Sequence, residues 1–193
     1  MGKIFALEGL KGTGKTTLLN NLKIIYPKLE CIEGFKLDNN LDLNIEKEFY
    51  KNQNIYIEKK ISQYKKFLKS SKNALITRGV ENIKKFTERY PKIYNYDWEV
   101  EKNLKQELEI LESYRSDLII YLNANDETIK KRVFNDMNKR RDNIDKYLEV
   151  WGKEIRNWYN EYKNLRIIET ENKTSLEVAE EVKRILIELE EKC

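Results

Sequence analysis

The stretch EGLKGTGKTT, residues 8–17, constrains this chain more than any other. It holds three of only seven glycines, and residues 9–16 fit the spacing G-x-x-x-x-G-K-[ST] in full. The apolar run Ile4–Leu7 precedes it, and Leu18, Leu19, Leu22 and Ile25 follow at helical spacing. A strand that turns through such a loop into a helix points successive amides inward as a nest for anionic oxygens. The helix start adds free N–H groups and the positive end of its dipole. A side chain at Gly12 or Gly14 would block that approach or disfavour the turn. The motif therefore assigns Gly9, Leu10, Lys11, Gly12, Thr13, Gly14, Lys15, Thr16 and Thr17 to a nucleotide's phosphates. Lys15 would reach the β and γ phosphates, and the Thr16 hydroxyl would ligate Mg²⁺.

The rest of the chain alternates short apolar runs with helical patterns. Leu29–Ile32, Ala74–Thr77, Leu118–Leu122 and Arg166–Ile168 read as four further strands. Between them, Ile45–Ser70 reads as helical with a break around Asn52–Asn54, 86–91 as irregular, and Glu99–Tyr114 as helical. Asp126–Asp142 and Tyr147–Tyr162 read as two more helices. Thr174, three residues before Glu177, opens the last helix with a capping box. Strands separated by helices imply one α/β domain, residues 1–193, with a parallel sheet covered on both faces. Ligands in such folds bind beyond the carboxyl ends of the strands.

Composition removes several chemistries. There is no histidine, so histidine bases and ligands are excluded, and Cys31 and Cys193 make neither a disulfide framework nor a metal site. No apolar run is long enough to span a bilayer, and the N-terminus does not read as a signal peptide, so a cytoplasmic location is expected. The net charge is +4, yet Lys130–Arg141 alone carries +5, leaving the remainder at −1. That is a local anion trap rather than a broad nucleic-acid-binding face.

On these residues the chain resembles the deoxynucleoside kinases and thymidylate kinases among the P-loop proteins. LEGLKGTGKTT resembles their first strand and loop, LECIEGF their second strand, ALITRGVE their third, and DLIIYLNANDETIKKR their fourth strand with its helix. The basic run before RRDNIDKYLEVW completes a likeness that covers most of the chain. The resemblance implies a P-loop kinase fold: a five-stranded parallel sheet flanked by helices, with a basic lid. It also implies ATP and Mg²⁺ as cofactors, with a nucleoside or nucleoside monophosphate as phosphoryl acceptor.

It carries over the following roles. Glu33 would act near the acceptor's attacking hydroxyl. Arg78 would lie close to the reacting phosphates with Lys15. Arg132 and Arg140, read with Lys139 as one side of a helix, would close over them, and Arg141 would serve the nucleotide. Thr77 departs from the family, which usually has an acid there. Glu8 is the compensating candidate, assisting Thr16 with Mg²⁺ through water. Phe49 and Tyr50 resemble an aromatic pair of the acceptor region, with Gln63 as the candidate reader of the base. Tyr90, Tyr94, Tyr96 and Trp98 would line the acceptor pocket or cover the sheet. Two other readings remain open: a kinase of another small metabolite, and a nucleotide-binding interaction protein with little turnover. The long helices would allow a homodimer.

Overall fold

The computed structural model describes residues 2–35, 40–136 and 143–191. Five parallel strands form its sheet: β1 (Ile4–Glu8), β2 (Glu30–Ile32), β3 (Ala74–Thr77), β4 (Leu118–Asn123) and β5 (Leu165–Glu169), in the order β2-β3-β1-β4-β5. β1, β3 and all but the last residue of β4 are fully buried. Their unbroken apolar runs reflect helices packed on both faces.

Alternation along β1 divides the core. Phe5 and Leu7 face α1 (Lys15–Ile25) and α9 (Ser175–Glu191), meeting Leu18, Leu22, Val182 and Leu186. Ile4 and Ala6 face the other layer, built from α2 (Glu46–Leu68), α3 (Val80–Ile93), α4 (Val100–Asn103) and α5 (Lys105–Glu112). Losing one of these fully buried leucines to alanine typically costs ~2–5 kcal/mol. A third cluster seats α6 (Asp126–Asn135) and α7 (Ile144–Tyr147) against the glycine loop, through Leu10, Ile129, Val133, Ile144 and Leu148. A π-helical turn, Leu148–Gly152, leads from α7 into α8 (Lys153–Trp158), and a 3₁₀ turn, Tyr159–Glu161, follows. The capping box forms as read: Thr174 N–H donates to Glu177 Oε2 at 2.7 Å, and Glu177 N–H to Thr174 Oγ1 at 3.2 Å.

Four local expectations need correction. α2 runs unbroken through Asn52–Asn54, because Asn52 and Gln53 lie on its buried face between Phe49 and Ile57. Residues 86–91 are helical within α3, with Pro91 inside the last turn, where the missing N–H forfeits only one helical bond. Glu99–Tyr114 is two helices, divided at buried Leu104. α6 ends at Asn135, with Asp136 already extended. One helix from Asp126 to Asp142, with Arg132 and Lys139 on a common face, is therefore not present. Lys139, Arg140 and Arg141 lie outside the described residues.

Candidate active site

The loop from β1 to α1 adopts the backbone its glycines permit. Gly9, Gly12 and Gly14 have φ of 134°, 87° and 99°, a region costly to residues with a Cβ. Gly14 is the N-cap of α1 and supplies no side-chain cap, and the first helical turn carries no acid. The leading amides of α1 are thus left for an anion. A Cβ on Gly14 would meet nothing within 4 Å, so the loop opens there into free space. That cradle, with a lysine above it, fits a polyphosphate. Lys15 Nζ donates to the loop's own carbonyls, Gly9 O at 2.6 Å and Leu10 O at 2.8 Å. Thr13 Oγ1 donates to Leu10 O at 2.8 Å, and Lys11 N–H to Tyr147 Oη at 3.3 Å. Thr16 and Thr17 are exposed.

Beside the loop, beyond the ends of β4 and β5, lies a cavity of ≈ 310 Å³. Gly12, Gly14 and Thr17 form one wall, and Arg132, Thr170 and Lys173 the other. Arg132 donates to Thr170 Oγ1 at 2.8 Å and to Thr170 O at 2.6 Å. Its guanidinium thus lies in the cavity wall, bonded to the residue that follows β5.

On the opposite flank, β2 and β3 end side by side, with Ile32 paired to Ile76. Glu33 is exposed just past β2, while Glu30 stays in the strand, 3.9 Å from Lys72. Thr77 is 8% exposed, and its Oγ1 accepts the N–H of Gly34 at 2.5 Å. Thr77, where the resemblance implies an acid, is thus a pin between β3 and the segment carrying Glu33.

Arg78 is exposed and has φ 56°, a left-handed conformation that costs a residue with a Cβ ~1–2 kcal/mol. Its N–H donates to Leu7 O at 3.3 Å, and its guanidinium to Tyr56 Oη at 3.4 Å. Tyr56 in turn donates to Phe35 O at 2.9 Å. The next N–H, from Gly79, donates to Glu8 Oε1 at 2.5 Å. Glu8 is 1% exposed and also accepts from the Tyr159 hydroxyl. Burial pushes its carboxyl up to about 7, opposed by the Gly79 N–H. Among the described residues, no group of three or more Asp, Glu or Cys side chains stands together as a metal cage.

Two buried polar residues of α2 were not among the residues singled out from the sequence. Gln53 is buried on α2 and its Oε1 accepts from Thr87 Oγ1 at 2.9 Å. Lys60, further along the same face, is fully buried; Nζ donates to Gln63 Oε1 at 2.8 Å and lies 5.1 Å from the Phe35 ring centroid. Burial lowers this ammonium to about 8, opposed by the negative charge of Glu8. Gln63 is thus engaged with Lys60. The signal was periodic: 49, 53, 57, 60, 64 and 67 make one buried stripe in which Gln53 and Lys60 are the polar members. Phe49 stacks on Tyr90 at 5.1 Å, and Tyr96 on Trp98 at 4.3 Å, so the aromatic cluster packs over the sheet.

Comparison with known proteins agrees with this architecture. Residues 5–193 match the deoxynucleoside kinase family. Among solved structures, deoxyadenosine kinase from M. mycoides with bound dATP superimposes with a TM-score of 0.74 at 17% identity, covering 94% of this chain and 98% of that one. Thymidylate kinase from Candida albicans superimposes with a TM-score of 0.68 at 16% identity, covering 98% and 92%. At these identities the two likenesses speak for the fold. Among curated proteins, no sequence matches the chain. No helix among the described residues is long and apolar enough to cross a membrane.

Proposed function

The chain belongs to the deoxynucleoside kinase family, and from that premise we propose that it transfers the terminal phosphoryl group of ATP to the primary hydroxyl of a deoxynucleoside. One observation supports this reading: the strand order β2-β3-β1-β4-β5 leaves the cavity on one side of β1 and the segments bearing Arg78 and Glu33 on the other. The cavity lies beyond β4 and β5, Arg78 and Glu33 directly follow β3 and β2, and the glycine loop follows β1 between them.

In this reading the cavity takes the nucleotide's base and the amides leading into α1 take its phosphates. Lys15 exchanges Gly9 O and Leu10 O for phosphate oxygens. Thr16 would hold Mg²⁺, which neutralises charge across the β and γ phosphates when bound. The acceptor oxygen bonds to the γ phosphorus as the bond to the β–γ bridging oxygen breaks. Glu33 orients the hydroxyl and takes its proton, and Arg78 offsets charge spreading over the transferred group. Gln53 and Tyr56 would stand on the acceptor side.

The test is ADP formation with ATP and Mg²⁺ across the four common deoxynucleosides, ribonucleosides, deoxynucleoside monophosphates and a no-acceptor control. Turnover confined to deoxynucleosides supports the reading. Turnover of monophosphates alone replaces it with a thymidylate-kinase-like acceptor, and ADP formation equal to the control removes it.

A further inference from the structure

We propose that Glu8 is a positioning residue for Arg78: its buried carboxylate holds the backbone corner that presents the guanidinium, and so ties the strand of the phosphate loop to the acceptor flank. The inference rests on the functional reading above for the role of Arg78.

The corner is built from β1. β3 is paired with β1 as far as Thr77, opposite Leu7. The chain then turns at Arg78 into the left-handed region, φ 56°. Its own N–H still reaches Leu7 O at 3.3 Å. One residue on, the ladder's next acceptor is a side chain, Glu8 Oε1, taking the Gly79 N–H at 2.5 Å. Gly79 is itself enclosed, since a Cβ there would sit 2.7 Å from Ala6 Cβ and 2.6 Å from Glu81 Oε2. The left-handed turn at Arg78 thus lies between two bonds, both anchored on the last two residues of β1. A residue with no acceptor at position 8 would leave a buried N–H unpaired and the turn without its second anchor.

Glu8 is equipped for this task. The Tyr159 hydroxyl donates to it, and Tyr159 Oη accepts from Asn82 Nδ2 at 3.1 Å. Asn82 lies in the first turn of α3, the helix that begins immediately after Gly79. The carboxylate is therefore oriented from three elements, β1, α3 and the turn after α8. With Oε1 on a backbone amide and the residue 1% exposed, Glu8 is placed for the corner rather than for a metal's water shell.

The test compares Glu8→Gln, which keeps an oxygen for the Gly79 N–H, with Glu8→Leu, which does not, alone and combined with Arg78→Ala. Turnover of deoxynucleosides and Mg-ATP affinity are measured for each. Glu8→Leu is expected to lower kcat at least 10-fold with the Kd for Mg-ATP within 2-fold of the parent. Glu8→Gln is expected to recover most of that loss. Glu8→Leu should cost nothing further once Arg78 is alanine. Additive losses, or a fall in Mg-ATP affinity and magnesium half-saturation matching the loss in kcat, overturn the inference in favour of a donor-side role. If Glu8→Leu does not melt cooperatively, Tyr159→Phe is read by the same split, with a kcat loss of about 3-fold expected and unchanged kcat counting against. Arg78→Ala with unchanged turnover, or a wild type that forms no ADP above the control, would sink the functional reading as well. Failure at Glu8 alone leaves that reading standing.

Discussion

Thr77 Oγ1 accepts the Gly34 N–H at 2.5 Å, across 43 residues of sequence, and so holds the segment bearing Glu33 against the end of β3. Gly34 is suited to the approach, because a Cβ there would lie 3.1 Å from the same oxygen. Thr77→Val keeps the shape and removes the acceptor, leaving a partly buried N–H unpaired, a loss of ~1–3 kcal/mol. A drop in kcat of about 10-fold with unchanged Mg-ATP affinity is the expected outcome. Steady-state kinetics alongside calorimetry would expose the alternative, an equal loss of both.

Glu33→Gln retains size and hydrogen bonding but accepts no proton. Turnover should fall ~10²–10⁴-fold while Mg-ATP affinity holds. A near-parent kcat would return Glu33 to the status of an exposed loop residue.

Lys15→Ala should abolish tight Mg-ATP binding and leave the melting temperature nearly unchanged, since alanine suits the first turn of α1. Calorimetric titration paired with a thermal melt checks both halves. Unaltered affinity would contradict the assignment of the loop.

Gly14 and Gly79 should fail for different reasons. Gly14→Ala meets open space but imposes φ +99° on a residue with a Cβ, a strain of ~1–2 kcal/mol. Gly79→Ala keeps an ordinary φ of −62° but drives its methyl against Ala6 and Glu81, an overpacking cost of ~1–3 kcal/mol. Moderate stability with poor nucleotide binding is expected of the first. Loss of stability and of the Arg78 corner together is expected of the second. Denaturant melts and nucleotide titrations distinguish them.

Lys60 gives a pH signature. Its folded-state value, about 8, lies below the ordinary 10.5, so between those limits the unfolded chain holds a proton that the folded chain has released. Stability contributed at this site therefore rises with pH from about 8 to about 10.5, and the full burden of the buried ammonium is present below 8. Lys60→Met should stabilise the protein near neutrality by up to about 3 kcal/mol, with the difference shrinking toward pH 10.5. Parallel melts of the two proteins from pH 7 to 10.5 test this; a difference constant with pH would refute it.

The glycine loop was legible because phosphate binding fixes residue types at fixed spacings along one stretch. The strands were legible because double-sided burial leaves uninterrupted apolar runs such as Leu118–Leu122. What escaped depends on partners distant in sequence. Thr77 lacks an acid's charge, yet its value lies in meeting Gly34. Gln63 resembled a base reader until Lys60, on the same helix, proved to be its partner. Gln53 and Lys60 were hidden in a periodic face whose apolar members dominate. Arg132 looked like part of a continuous basic helix, but Asp136 turns the backbone extended and Thr170 claims the guanidinium.

The chain's three tryptophans, Trp98, Trp151 and Trp158, all belong to the aromatic layer on one face of the sheet. Trp98 lies 4.3 Å from Tyr96, Trp151 5.3 Å from Phe86, and Trp151 meets Trp158 edge-on at 5.9 Å. No tryptophan lines the cavity beside the phosphate loop. The protein thus carries an intrinsic optical sensor with a one-sided field of view. Its tryptophan emission is expected to report rearrangements of the α2, α3 and α8 face more directly than events in the cavity beyond β4 and β5, which gives the proposed acceptor step a label-free signal of its own.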